Sequence, residues 1–221
     1  MIDYEKHFKE VLLTLESEGI LNNIIVVGSW CLLLYKYVFS NFEPSIRTTD
    51  VDFFVPNPKS IKEKNSVINS LREINYDLVI DCLSNKSIFI SPDGFELEFL
   101  TRVARDMIST VKLGNTNIYA EALSYTDIFV GNYIVVNYEG LLVKVASPSS
   151  YILQKLLVNE QRGEKKQKDI ESIKTILLFI ESSKKYSKEL KDLYSALPNK
   201  WKKKIDVTLT NNDIKLFEFK G

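Results

Sequence analysis

The chain has 221 residues, 45% of them hydrophobic, which is enough for a sizeable core in one elaborated domain or two small ones. Lys and Arg number 29 and Asp and Glu number 29, so the formal net charge is zero; that argues against a broadly basic nucleic-acid surface, though not against a local patch. Cys31, Cys82 and His7 are the only cysteines and histidine, too few for a zinc cluster or a strong nucleophilic triad, and no apolar run approaches the roughly 20 residues that span a bilayer.

The N-terminus carries acids and lysines rather than a signal-peptide pattern, and both cysteines read as reduced core residues, as in a cytoplasmic protein. Tyr4, Phe8, Val11, Leu12 and Leu15 recur at helical spacing and predict an amphipathic first helix, with His7 as a surface residue on its polar side. Residues 23–27 are a short β-branched run that predicts a buried strand. Gly28-Ser29 breaks it, and residues 30–38 predict an apolar helix. A helix N-terminus presents free N–H groups and positive dipole to a phosphate, and glycine lets the ligand approach the backbone. Ser29 suits either a phosphate oxygen or a helix cap; alone, a plain helix start is the simpler reading. No P-loop and no G-x-G-x-x-G occurs.

After a loop carrying Pro44, Arg47-Thr48-Thr49-Asp50-Val51-Asp52-Phe53-Phe54-Val55 predicts a strand. Residues two apart point the same way, so Asp50 and Asp52 share one face while Val51 and Phe53 enter the core. Two carboxylates so close favour a cation between them, and hard oxygen ligands suit Mg²⁺ or Mn²⁺. A lone Asp-x-Asp is more often a solvated acidic face; here it follows a strand that ends in Gly-Ser at a helix start.

Pro56 and Pro58 end that strand. Residues 61–74 predict a helix, and 76–82, 87–91 and 95–101 predict strands, the last two joined by the turn signal Ser91-Pro92-Asp93-Gly94. In the run after that turn, Phe95, Leu97 and Phe99 form an apolar face and Glu96 and Glu98 the other. Acids are poor strand formers, so two on one face suggest either solvent or a metal. Glu98 is the preferred third carboxylate, because the acid-apolar-apolar order after it repeats that after Asp52; Glu96 stays open. Residues 116–120 predict a short strand. Residues 133–138 and 141–145 predict a hairpin around Glu139-Gly140. Ser147-Pro148 marks a change to a helical half, with helices at 149–158, 168–180 and 188–197 and Pro198 able to start another. The end, 208–220, reads as a strand or a docked tail. Lysines at 165, 166 and 168 and at 202, 203 and 204 read as solvated helix faces.

Gly-Ser opening a helix, Asp-x-Asp on the next strand and a third acid on a later strand resemble the polymerase-beta-type nucleotidyltransferases. The closer likeness is to a bacterial branch that includes the abortive-infection toxin nucleotidyltransferases. That branch has an Arg shortly before Asp-x-Asp, as Arg47 stands here, and a later lysine helix followed by a Lys-Asp pair. Ser147 to Leu156 with Lys155, then Arg162, then Lys168-Asp169, match it. The resemblance covers about residues 24–173, and Glu98 departs from the commoner Asp at the third position. It implies an α/β (α+β) fold, a nucleotidyltransferase-like mixed sheet flanked by helices over 1–147, followed by a C-terminal helical region over 148–221.

These parts make a hypothesis: a nucleoside monophosphate moves from an NTP to an acceptor hydroxyl, releasing pyrophosphate, with two Mg²⁺ (or Mn²⁺) ions. Asp50 and Asp52 hold both ions. Glu98 holds the acceptor-side ion and takes the acceptor's proton. Gly28 and Ser29 cradle the β- and γ-phosphates. Arg47 contacts phosphate, orders its loop or pairs with an acid. Lys155, in an otherwise apolar helix, meets phosphate or snorkels to the surface. Lys168 and Asp169 pair with each other or close an interdomain cleft. The acceptor is a protein, a tRNA end or a small molecule such as an antibiotic, with no membrane partner expected. The alternatives are a nucleotide-binding protein without turnover and an interaction module of a toxin–antitoxin or defence system.

Overall fold

Asp3 starts the first helix, its carboxylate accepting from the backbone N–H of Lys6 at 3.1 Å. The computed structural model describes residues 3–44, 48–62, 66–103 and 109–216. Helix α1 (Tyr4–Ser17) buries Phe8, Val11, Leu12 and Leu15, the face its spacing predicts. His7 is not the surface residue expected. Its ring stacks on Phe95, and its nitrogens bond to the Tyr76 hydroxyl at 3.1 Å and the Asp93 carboxylate at 2.9 Å. An imidazole has an apolar face and polar tips, and both are used here.

Strand β1 (Ile25–Val27) is shorter than predicted, because Leu21–Asn23 form a 3₁₀ turn. Helix α2 (Trp30–Tyr35) buries all six residues and ends three residues before 38. Tyr37 and Val38 donate instead to the carbonyls three back, tightening the chain into turns. Strand β2 (Asp50–Phe54) stops before Pro56, and α3 (Ser66–Glu73) follows a 3₁₀ turn at Pro58–Ser60. Then come β3 (Asp77–Ile80), β4 (Ser87–Ile90), β5 (Glu96–Arg102), β6 (Thr110–Lys112) and β7 (Tyr119–Leu123). Strand β6 was not expected, and β7 starts three residues after 116. Thr116 belongs to the turn between them: its hydroxyl donates to the Leu113 carbonyl at 2.7 Å and accepts from the Ile118 N–H at 3.1 Å. The hairpin β8 (Tyr133–Tyr138) and β9 (Leu141–Ala146) turns on Glu139 and Gly140, as predicted. Both have positive φ, 49° and 93°, the two-residue turn whose twist matches the strands.

Among the described residues the strands form one mixed nine-stranded sheet, ordered β3-β4-β5-β2-β1-β9-β8, with β7 beside β5 and β6 beside β7. Strand β2 lies inside it, antiparallel to β1 and parallel to β5. The first half of β5 bonds to β4 and its last residues to β7. Helix α1 packs on α3, and α2 on β1 and β9. Phe8 stacks on Trp30 with ring centroids 4.5 Å apart, and Trp30 meets Phe95 edge-on at 5.5 Å. Each such fully buried ring contributes about 1.5–3 kcal/mol from its removed apolar surface. The Tyr35 hydroxyl donates to the Ala146 carbonyl at 2.8 Å, tying α2 to the end of β9. Cys31 is buried as expected, its thiol donating to the Val26 carbonyl at 3.4 Å, whereas Cys82 is exposed in the turn after β3; neither is in a disulfide.

The chain divides into two compact units, Met1–Ala146 and Ser147–Gly221. The second holds α4 (Pro148–Val158), α5 (Lys166–Glu181), α6 (Lys184–Ala196) and α7 (Asn199–Asn211). Ser147 caps α4, its hydroxyl accepting from the Ser150 N–H at 3.2 Å, with Pro148 in the first turn where a missing N–H costs nothing. Helix α4 packs against α5, α6 and α7, and the Thr208 hydroxyl of α7 donates to the Leu156 carbonyl at 3.0 Å. Residues 208–211, read from sequence as the start of a strand or tail, complete α7, and 217–221 lie outside the described residues. No helix among the described residues is long and apolar enough to cross a membrane.

Candidate active site

The predicted acids sit in the interior of the sheet, on two neighbouring strands. The burial of β2 and β5 alternates as the sequence pattern requires: Val51, Phe53, Leu97 and Phe99 are buried, while Asp50, Asp52, Glu96 and Glu98 are half-buried on the opposite face. The parallel register sets Asp50 opposite Glu96 and Asp52 opposite Glu98. Pairing begins just before β2, where the Glu96 N–H donates to the Thr49 carbonyl at 2.6 Å. The Thr48 hydroxyl donates to the Asp50 carboxylate. Arg47 lies outside the described residues.

Strand β1 brings the Gly28-Ser29 turn to the same place. Its antiparallel register sets Val27 opposite Asp52, so the next residue, Gly28, meets the Asp52 side chain. Gly28 has φ +69°, and a Cβ built there would collide with Oδ2 of Asp52. Glycine is needed twice over: for the left-handed backbone and for the space the carboxylate fills. Ser29 is half-buried and in the helical region, and its side chain makes no capping bond. Its hydroxyl is not the plain helix cap of the simpler reading. A cavity of about 380 Å³ lined by Asn22, Ile25, Asn57, Tyr133 and Lys144 lies at the other end of β1, away from Gly28.

Two residues that the sequence reading missed join the acids. Lys86 donates to Oε2 of Glu98 at 2.8 Å and to Oε2 of Glu121, on β7, at 3.2 Å. The Lys86 and Glu98 side chains are only 21% and 14% exposed. Burial works against the Lys86 charge, but the hydrogen bond and charge of Glu98, with help from Glu121, outweigh it and hold the ammonium above its ordinary value. A signal for Lys86 was present. The turn at 91–94 sets Ile88 opposite Glu98, so Lys86, two residues back, shares that face and lies diagonal to Glu98. Glu121 gave none, because β7 reaches β5 through a crossover whose register no local pattern specifies.

Among the described residues no group of three or more His, Cys, Asp or Glu is gathered closely enough to hold a metal ion. The donor chemistry still fits one. All the candidate ligands are carboxylates on adjacent strands, and Gly28 sets no side chain of its own against the Asp52 carboxylate.

In the second unit, Lys155 is buried in α4 and bonds to Oδ1 of Asp169 at 2.9 Å; the two side chains are 6% and 5% exposed. Arg162 donates from Nε to Oδ2 of the same carboxylate at 3.0 Å. The Lys155 ammonium also lies 5.6 Å from the centre of the Tyr151 ring. Lys155 therefore does not snorkel. Asp169 is held by Lys155 and Arg162, and its neighbour Lys168 is exposed.

A family model described as nucleotidyltransferase matches residues 6–197. No curated protein sequence matches the chain. Solved structures similar to the chain include the following three. An antigenic nucleotidyltransferase-like protein from Paracoccidioides brasiliensis is 18% identical, with a TM-score of 0.46, over 89% of this chain and 90% of that one. The antibiotic-resistance factor ANT(2'')-Ia is 12% identical, with a TM-score of 0.47, over 92% of this chain and 88% of that one. The lincosamide antibiotic adenylyltransferase LnuA, lincomycin-bound, is 15% identical, with a TM-score of 0.43, over 76% of this chain and 96% of that one. The family match runs from within α1 to the end of α6 and takes in every acid of β2 and β5, so the chain belongs to a nucleotidyltransferase family.

Proposed function

We propose that the protein transfers a nucleoside monophosphate from an NTP to an acceptor hydroxyl and releases pyrophosphate. The observation that best supports this is the meeting of Gly28 with Asp52, in register with Glu98: a glycine turn against an acid pair on one sheet face. Gly28 and Ser29 cradle the β- and γ-phosphates, using backbone N–H groups and an uncapped hydroxyl. Asp50 and Asp52 would hold divalent cations, Mg²⁺ or Mn²⁺, with Glu98 as the acceptor-side ligand. Two bound ions would offset the charge of the triphosphate and stabilise the attacking and leaving oxygens. Glu98 accepts the acceptor's hydroxyl proton as that oxygen bonds to the α-phosphorus; the bond from the α-phosphorus to the bridging oxygen breaks, and pyrophosphate leaves.

The sequence resemblance alone assigns Arg47 and Lys168 to the nucleotide-binding set, and ties the chain to the abortive-infection branch and a toxin–antitoxin or defence setting; it assigns Lys155 there too, but the buried pair of Lys155 with Asp169 accounts for that lysine without a ligand. The acceptor is a protein, a tRNA end or a small molecule. A reading as a nucleotide binder without turnover draws support from one observation, the engagement of Glu98 by Lys86.

The test incubates the protein with each of the four labelled NTPs in a cell lysate, follows pyrophosphate, and asks which fraction becomes labelled. Asp52→Asn keeps the side-chain shape and removes a charge and a ligand, so it should lose pyrophosphate release while melting like the parent. A folded Asp52→Asn that still turns over would sink the proposal. Mg-NTP binding by the parent with no pyrophosphate from any NTP would leave the non-transferring binder.

A further inference from the structure

We propose that Lys86 is the positioning residue of the third carboxylate: it selects Glu98 over Glu96 for that role and fixes which of its oxygens faces the acceptor. This rests on the nucleotidyl-transfer reading above.

The choice between the two glutamates comes down to their surroundings. Both lie on the same face of β5, each opposite an aspartate of β2. Glu98 alone is tethered. Lys86 takes its Oε2, and Glu121 takes Lys86 in turn. Among the described residues nothing comparable holds Glu96. A half-buried lysine costs desolvation unless it is paired, and here the pairing is with two carboxylates on different strands. The site of the tether follows from the sheet. Strand β4 pairs with β5 only as far as Glu98, and β7 takes its place from Leu100 onward. Lys86 immediately precedes β4 and reaches both Glu98 and the β7 residue opposite Leu100.

The consequence is a division of labour within one carboxylate. Oε2 is committed to the ammonium, which fixes the rotamer, and Oε1 is left to accept a proton or face a cation. A side chain held in this way pays less ordering cost at the moment of reaction. The ammonium also offsets one of the negative charges crowded on β2 and β5, a charge pattern that would otherwise oppose the approach of a triphosphate.

The experiment measures pyrophosphate release by Lys86→Met, Lys86→Arg and Glu121→Gln, alone and in a Glu98→Gln background. Lys86→Met should lower kcat by on the order of 10–100-fold, as loss of a residue that orients a ligand does, and leave KM for the NTP unchanged. Lys86→Arg should restore most of the loss, since a guanidinium still bridges two carboxylates. In the Glu98→Gln background Lys86→Met should cost nothing more, while in a Glu96→Gln background it should cost its full amount. Glu121→Gln leaves Lys86 on Glu98 alone and should give a smaller fall in kcat of the same kind; it carries the test if Lys86→Met does not fold. A Lys86→Met protein that turns over like the parent, or loses as much without Glu98 as with it, overturns the inference and leaves the transfer reading standing. A parent inactive with every NTP overturns the transfer reading and this inference with it.

Discussion

Gly28 and Ser29 are adjacent, yet the structure gives them different physical reasons to be there. Gly28 is fixed by geometry: its φ is +69°, and the space of its missing Cβ is taken by Oδ2 of Asp52. Gly28→Ala should lose about 1–2 kcal/mol to the left-handed backbone alone. It should also push Asp52 off its position, so pyrophosphate release should fall by more than the loss of folded protein explains. Paired measurement of urea unfolding and turnover checks this; an alanine variant as active as the parent would mean that the Asp52 carboxylate works from another rotamer. Ser29 makes no capping bond, so Ser29→Ala should change stability by less than the roughly 0.5–2 kcal/mol of a lost cap. If its hydroxyl holds the β- or γ-phosphate, Mg-NTP binding should weaken while nucleoside monophosphate binding does not. Titration of both ligands decides, and equal losses for the two would remove Ser29 from the phosphate site.

At the scale of elements, the β4–β5 hairpin sets Ile88 opposite Glu98 and Ile90 opposite Glu96, and its turn is held by side chains. Ser91 accepts from the Phe95 N–H at 2.9 Å and donates to Asp93 at 3.0 Å, and His7 of α1 reaches the same carboxylate at 2.9 Å. The hydrogen bond to His7, and then that to Ser91, holds the Asp93 carboxyl below its ordinary value of 3.8. A depressed carboxyl adds stability that is fully present above 3.8 and is lost as pH falls through its lower folded value. Asp93→Asn should therefore melt below the parent at neutral pH, with the gap closing as the pH falls below 3.8; a gap independent of pH would mean that the charge contributes nothing. The same hairpin shows what was legible beforehand. The turn 91–94 and the alternation of β5 put Glu96 and Glu98 on one face from local pattern alone, and Asp50 and Asp52 likewise. Their side-by-side register was not readable, because parallel pairing of β2 with β5 spans the whole β3–β4 excursion and no turn fixes it. Strand β6 and the start of β7 were missed because a Ser/Thr-type turn at Thr116 looks, in composition, like a β-branched strand residue. His7 was misread because its partners come from residues 69 and 86 positions away.

For the whole molecule, the predicted machinery is divided between the two units, with the acids and the glycine turn in Met1–Ala146 and Lys155 and Lys168 in Ser147–Gly221. The role of the second unit turns on Lys155. Its ammonium sits in an otherwise apolar helix and is matched by a buried carboxylate that also takes Arg162. Removing one partner of such a pair leaves the other's charge buried, at a cost of about 3–5 kcal/mol, whereas removing both costs much less. Lys155→Met and Asp169→Asn should each lower the unfolding midpoint strongly, and the double variant should recover most of the loss. Arg162, only partly buried, can then turn to water. That recovery makes the double variant the right protein for nucleotide titration, since its fold is no longer in question. The buried pair accounts for Lys155 without a ligand, so Mg-NTP affinity in the double variant should match the parent's. A stable double variant that binds Mg-NTP more weakly would instead give Lys155 the phosphate role that its sequence resemblance implies.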